Sequence, residues 1–322
     1  VGNIIHKPVI MGALLGASAL TLVRCLGREA PTDAPGPAEA GADAGGDASP
    51  MPEAAGDAPG SPDAHVADCL PSIAGIVLWL DDTSIVRNGA KIARWKDLSG
   101  NGLDAVPSAL SIPSVGAGAL NGHDIVKVAG LGSYLSIPDA NALHWGTDDC
   151  FVALVTSWTN DPGTGNCSSD SAGILFGHQA LSYPFWGVVI FADVPAPWPA
   201  SSGLYAQVRD PCAGCACSAG NSVQGGSGLN DGRFRLVGAR LTHPLGQPMF
   251  EIRLGGQSLS SIAVMGLQDL SATDGGILLG AGVGGGQQQV QGAYAAILAV
   301  HGTLPDAQMQ SIEACLTSTY GL

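Results

Sequence analysis

Phe250-Glu251-Ile252-Arg253-Leu254 alternates apolar and charged side chains one by one. In a strand successive side chains point to opposite faces, so this stretch predicts a β-strand with one face buried and the other wet. Short apolar runs bounded by turn residues recur on both sides of it, at residues 76–80, 125–129, 134–137, 151–158, 174–176, 186–191, 204–208, 234–241, 277–279 and 294–300. Helical periodicity appears only late, where Pro305-Asp306-Ala307-Gln308 opens a segment with Met309, Ile312, Leu316 and Tyr320 at three- and four-residue spacing before Gly321. Many short strands and one terminal helix predict an all-β fold, a two-sheet antiparallel jelly-roll sandwich with one short C-terminal helix.

Composition agrees. Of 322 residues 47 are Gly, 5% are aromatic and 12% are charged, which suits a turn-rich β protein better than a helical bundle. Asp and Glu number 27 against 13 Lys and Arg, a net charge of -14. A phosphate-tracking surface needs clustered cations, so nucleic acid is excluded as the expected partner, and anionic membrane surfaces with it.

Three regions follow from the shifts in composition. Residues 1–27 read as an export signal: His6 and Lys7 precede an uncharged stretch, 8–23, too short to span a bilayer core comfortably. Residues 28–68 hold nine carboxylates, one Arg and almost no bulky apolar side chains, and are expected to form a solvated, extended linker. Residues 69–322 are long enough for one β domain with a sizeable core. Leu22-Val23-Arg24-Cys25 resembles a bacterial lipoprotein signal, in which Cys25 becomes the lipidated first residue; Arg24 stands where that pattern has a small residue. Ordinary cleavage and an uncleaved anchor are the alternatives. The membrane is therefore a partner only through this N-terminal segment, and the expected location is extracytoplasmic.

Four stretches resemble the bacterial laminin G-like, or concanavalin A-like lectin/glucanase, jelly rolls: Leu78-Trp79-Leu80-Asp81, Trp95-Lys96-Asp97-Leu98-Ser99-Gly100-Asn101-Gly102, Leu120-Asn121-Gly122, and the closing unit from residue 292 to 322 with Leu304-Pro305-Asp306-Ala307 and Tyr320-Gly321-Leu322. The resemblance implies the sandwich fold over residues 75–322. Relatives often carry a carboxylate in the closing strand and an Asp-Arg pair after it, whereas this chain has Ala296, His301 and Gly302. Roles of those groups do not transfer, and the family spans lectins, glycosidases and structural modules.

Catalytic patterns are sparse. A retaining glycosidase needs two carboxylates about 5 to 5.5 Å apart. The domain has two Glu, Glu251 on the alternating strand and Glu313 on the helix, with no partner carboxylate at strand spacing. The nucleophile pattern Gly-x-Ser-x-Gly is absent. No catalytic residue and no obligatory cofactor is expected. Asp97, Ser99, Asn101 and Asp104 place oxygens at close spacing around Gly102, which reads either as a turn held by side-chain bonds to backbone or as a calcium loop, Asp81 or Asp82 completing it.

Seven cysteines follow the linker: Cys69, Cys150, Cys167, Cys212, Cys215, Cys217 and Cys315. In an exported chain disulfides are the default, the preferred pairing being Cys69 with Cys315 and two bridges among the five central cysteines. An odd thiol is left over. For a ligand, Trp198, between Pro197 and Pro199, is a candidate sugar-stacking platform together with Tyr183 or Trp145. The reading reached is an exported, surface-tethered binding or adhesion module with a polysaccharide or surface glycan as partner. A carbohydrate-active enzyme and a structural envelope protein are the alternatives.

Overall fold

The computed structural model describes residues 66, 70, 73–130, 132–159, 173–179, 186–194, 201–209, 212–213, 216–217, 222–271, 275–282 and 289–322. The signal, Cys25 and nearly all of the linker lie outside the described residues. In chain order the strands are β1 (Ile76–Leu80), β2 (Ile85–Asn88), β3 (Lys91–Trp95), β4 (Val106–Pro107), β5 (Ser114–Leu120), β6 (His123–Ala129), β7 (Leu135–Ile137), β8 (Cys150–Trp158), β9 (Gly173–Gln179) and β10 (Trp186–Val194). There follow β11 (Ser201–Arg209), β12 (Cys212–Ala213), β13 (Ala216–Cys217), β14 (Ser222–Gly225), β15 (Arg235–Thr242), β16 (Met249–Leu254), β17 (Gln257–Ala263), β18 (Ile277–Leu279) and β19 (Gln291–His301), then the helix α1 (Asp306–Tyr320).

Two antiparallel sheets hold these strands. The larger runs β17-β16-β15-β8-β19-β6-β5-β3-β2, and the smaller β14-β11-β10-β9-β18-β7-β4. β12 and β13 form a separate hairpin, in which Cys212 is the register partner of Cys217. β19 lies at the centre of the larger sheet. One of its edges pairs with β8 along nearly its whole length, and the other pairs with β6 at Gln291–Tyr294 and with β1 from Ile297 to Val300.

The core lies between the sheets. Leu78, Trp95, Val126, Leu154, Phe250 and Ile297 from the larger sheet meet Leu135, Phe176, Val188, Ile190, Ala206 and Leu279 from the smaller. Full burial of each large apolar side chain contributes about 1.5–3 kcal/mol. β8 is buried at every position, Cys-Phe-Val-Ala-Leu-Val-Thr-Ser-Trp, because both of its faces are covered. Its outer face, with Phe151, Ala153 and Val155, joins Leu298, Val300 and the helix residues Met309, Ile312, Leu316 and Tyr320 in a second cluster. α1 therefore lies on the outer face of the larger sheet and ends at Gly321, whose φ of 64° is the left-handed cap conformation that glycine adopts without strain.

All eleven apolar runs of the sequence are strands, and the terminal helix is where its periodicity puts it. β2, β3, β4, β5, β12, β13, β14 and β17 are additional, β5 and β17 being the longest of them. Ser-Val-Gly-Ala-Gly-Ala-Leu and Gln-Ser-Leu-Ser-Ser-Ile-Ala contain too few large apolar side chains to announce themselves, and tertiary pairing makes them strands.

Candidate functional site

The smaller sheet has an unusual outer face. Val188, Ile190 and Ala192 of β10 point into the core, so Val189 and Phe191 point away from it, and on β11 Tyr205 and Gln207 alternate with Leu204, Ala206 and Val208 in the same way. Ile174, Val189, Phe191 and Tyr205 form a cluster of their own. The rings of Phe191 and Tyr205 are 5.4 Å apart, and the Tyr205 hydroxyl donates to Gln207 Oε1 at 3.2 Å. All four side chains are buried in the chain itself, so this face is a small second core and not an open ligand surface. Sequence reasoning passed these residues over. The signal was the period-two pattern Leu-Tyr-Ala-Gln-Val at 204–208, whose second face was not followed up.

Trp145 is not a surface platform. It is fully buried, with its ring 4.6 Å from that of His178, which is buried as completely. Neither the indole N–H of Trp145 nor either ring nitrogen of His178 has a hydrogen-bond partner among the described residues. Burial pushes the His178 pKa down to about 4, with the charge of Asp139 opposing the shift, so the imidazole is neutral at physiological pH. Tyr183 and Trp198 lie outside the described residues.

The loop after β3 is closed by its own side chains. Asp97 Oδ1 accepts from the backbone N–H groups of Trp79 and Ser99 at 3.0 and 2.9 Å, and Oδ2 from Leu103 N–H and the Ser99 hydroxyl at 3.1 and 2.7 Å. Asp104 Oδ1 accepts from Asp97 N–H at 2.9 Å, its Oδ2 faces Arg94 at 3.2 Å, and Asn101 Nδ2 donates to the Val77 carbonyl at 3.0 Å. The oxygens that calcium would need from Asp97, Ser99 and Asp104 are thus engaged with backbone, one another or Arg94, and Asn101 is tied down through its amide nitrogen. Asp81 and Asp82 are turned elsewhere: Asp81 caps the turn at Thr83, and Asp82 is shared by His123 and Tyr320. No cluster of three or more His, Cys, Asp or Glu with metal-holding geometry occurs among the described residues.

The two glutamates do meet, around an arginine. Arg253 Nε and Nη2 donate to Glu313 at 2.7 and 3.0 Å, Nη1 donates to Glu251 at 2.6 Å, and Nη2 also reaches the Gly256 carbonyl. Arg253 was expected on a wet face with Glu251; it is instead buried beneath α1. Burial alone would lower its pKa, but the two carboxylates raise it above the usual arginine value. Both carboxylates are thus held by the one guanidinium.

The same holds more widely. Asp124 pairs with Arg87, Asp231 with Arg235 and Asp306 with Arg240; Asp139, Asp148 and Asp149 pair with His144, His301 and His243; and Asp269 accepts from Ser271 N–H. With the groups already described, each of the carboxylates named here is engaged by a cation, a histidine, a hydroxyl or a backbone amide.

Cys150 is removed from the disulfide framework. It is a free thiol in the core, and burial pushes its pKa up to about 12, so it is inert at neutral pH. Cys315 is buried on α1 beside Val66, while Cys69, Cys167 and Cys215 lie outside the described residues.

These features define a two-layer antiparallel β-sandwich with a helix on the outer face of its larger sheet and, among the described residues, no unengaged acid pair. No protein-family model matches the chain, and no curated protein does. Solved structures share the architecture. The binding domain of Paraclostridial Mosquitocidal Protein 1 superposes with a TM-score of 0.52 at 10% identity, over 77% of this chain and 52% of that one. The Botulinum Neurotoxin serotype G binding domain gives 0.50 at 12% identity, over 76% and 51%. A GH54 α-L-arabinofuranosidase variant soaked with 4-nitrophenyl α-L-arabinofuranoside gives 0.50 at 16% identity, over 71% and 51%. The chain spans about half the length of each, and at these identities the likeness is one of fold.

Proposed function

We propose that the protein is an exported, surface-tethered, non-catalytic module that binds glycans, of the laminin G-like or concanavalin A-like kind. The observation that carries the non-catalytic part is the engagement of the carboxylates named above, foremost the capture of Glu251 and Glu313 by Arg253. A glycosidase requires one carboxyl able to hold a proton and a second facing the sugar across a cleft. The glycan part is supported by the fold, which two toxin binding domains and an arabinofuranosidase share. Trp198 and Tyr183 remain the residues to which we assign sugar stacking.

A glycan array probed with the full chain tests the reading, together with release of reducing sugar from the polysaccharides bound. Binding without turnover, weakened about tenfold or more by Trp198→Ala, is expected. Turnover of any bound glycan overturns the non-catalytic assignment, and an array without binding overturns the glycan assignment.

A further inference from the structure

In a chain with twice as many acids as bases, the cations should be the groups that find partners and the acids the groups left over. The described residues show the reverse for one cation type. All their ion pairs use arginine or histidine, and none uses lysine. The three lysines of the domain, Lys91, Lys96 and Lys127, are all exposed, and all lie on or next to β3 and β6.

Register places two of them on one surface. Lys91 of β3 is the partner of Ser114 of β5, and Ser114 is the partner of Lys127 of β6. Directly opposed residues share a face, so Lys91, Ser114 and Lys127 form a row across three strands, with the two lysine Cα atoms about 10 Å apart. Lys127 also opposes Ala293, which belongs to the cluster beneath α1; the row is therefore on the helix-bearing outer face, past the helix.

The floor of this surface is poor in side chains and is bulged, the β5 register shifting between Gly116 and Leu120. β5 continues through Gly116, Ala117, Gly118 and Ala119, the last three exposed. A Cβ at Gly116 would stand 2.8 Å from Lys127 Cε, so glycine is what allows the lysine to lie across the strand. Lys91 Nζ donates to the Ile112 carbonyl at 3.0 Å, which fixes its position and leaves its charge uncompensated.

We propose that this face is a second binding site, for an anionic polysaccharide carrying carboxylates along its chain. A strip of small side chains edged by uncompensated ammonium groups leaves room for an extended, regularly charged chain to approach the lysines. The net negative charge of the protein does not oppose this at physiological salt, because charges more than about 8 Å away are largely screened. Stacking on Trp198 plays no part in it, so the inference stands independently of the site proposed above.

Binding of the full chain to alginate and polygalacturonate, with dextran and poly-L-glutamate as controls, tests it. Uronate polymers should bind with an affinity that falls about tenfold or more between 0.1 and 0.5 M NaCl. Lys91→Gln and Lys127→Gln should each weaken binding about fivefold, and together tenfold or more. Trp198→Ala should leave it unchanged. Uronate binding that is insensitive to the double lysine variant, or no uronate binding, overturns the site; equal affinity for poly-L-glutamate overturns the assignment to a polysaccharide. If neutral glycans bind while uronates do not, this inference fails alone.

Discussion

His178 is held where charging it is unfavourable: its imidazole faces Trp145, both nitrogens lack partners among the described residues, and its pKa is depressed to about 4. In the unfolded chain the group titrates near its ordinary value of about 6.5. Between those two values the unfolded state binds the additional proton, so stability rises with pH across the window and is lost as pH falls from 6.5 toward 4. The loss integrates to about 3 kcal/mol. Urea unfolding of the wild type and His178→Leu at pH 7 and pH 4.5 measures it. The wild type should lose about 2–3 kcal/mol more than the variant, and equal losses would refute the burial argument. His178 lies two residues past the run at 174–176 that the sequence marks as a strand, yet nothing in its neighbourhood of sequence tells that Trp145, more than thirty residues earlier, lies against it. Trp145 was misread for the same reason: a bulky ring near turn residues looks equally suited to surface or core until its tertiary neighbour is known.

Among the elements, the junction between β16 and α1 rests on Arg253. Removing one member of a buried ion cluster strands the others, at a cost of about 3–5 kcal/mol, whereas replacing all members with apolar groups of similar volume is close to neutral. Arg253→Met is accordingly expected to lower the urea midpoint sharply, and the triple variant Arg253→Met, Glu251→Leu, Glu313→Leu to restore most of it. A mild Arg253→Met would show the cluster to be solvated. The loop after β3 yields the opposite expectation for a cation: with both Asp97 oxygens bonded to backbone amides, millimolar calcium should leave the melting midpoint where it was. A rise would show that the loop opens to take the ion. The alternation at 250–254 was legible as a strand, but that Arg253 faces α1 rather than water was not. Period two says which residues share a face, and only packing says which face is covered.

For the molecule as a whole, the architecture was readable because strand periodicity, turn residues and one helical segment all point the same way. The sites were less so. Cross-strand register carries Lys91, Ser114 and Lys127 into a line, and register between segments distant in sequence is not written in any one of them. The same distance governs how the sandwich closes. β19 fills the middle of the larger sheet, between β8 on one side and β6 and β1 on the other, yet it is among the last strands to be synthesised. Until it arrives the two halves of that layer have no common partner, and the core between the layers lacks Tyr294, Ile297 and Ala299. A nascent chain of this topology therefore cannot complete its larger sheet until nearly all of the strands have been made.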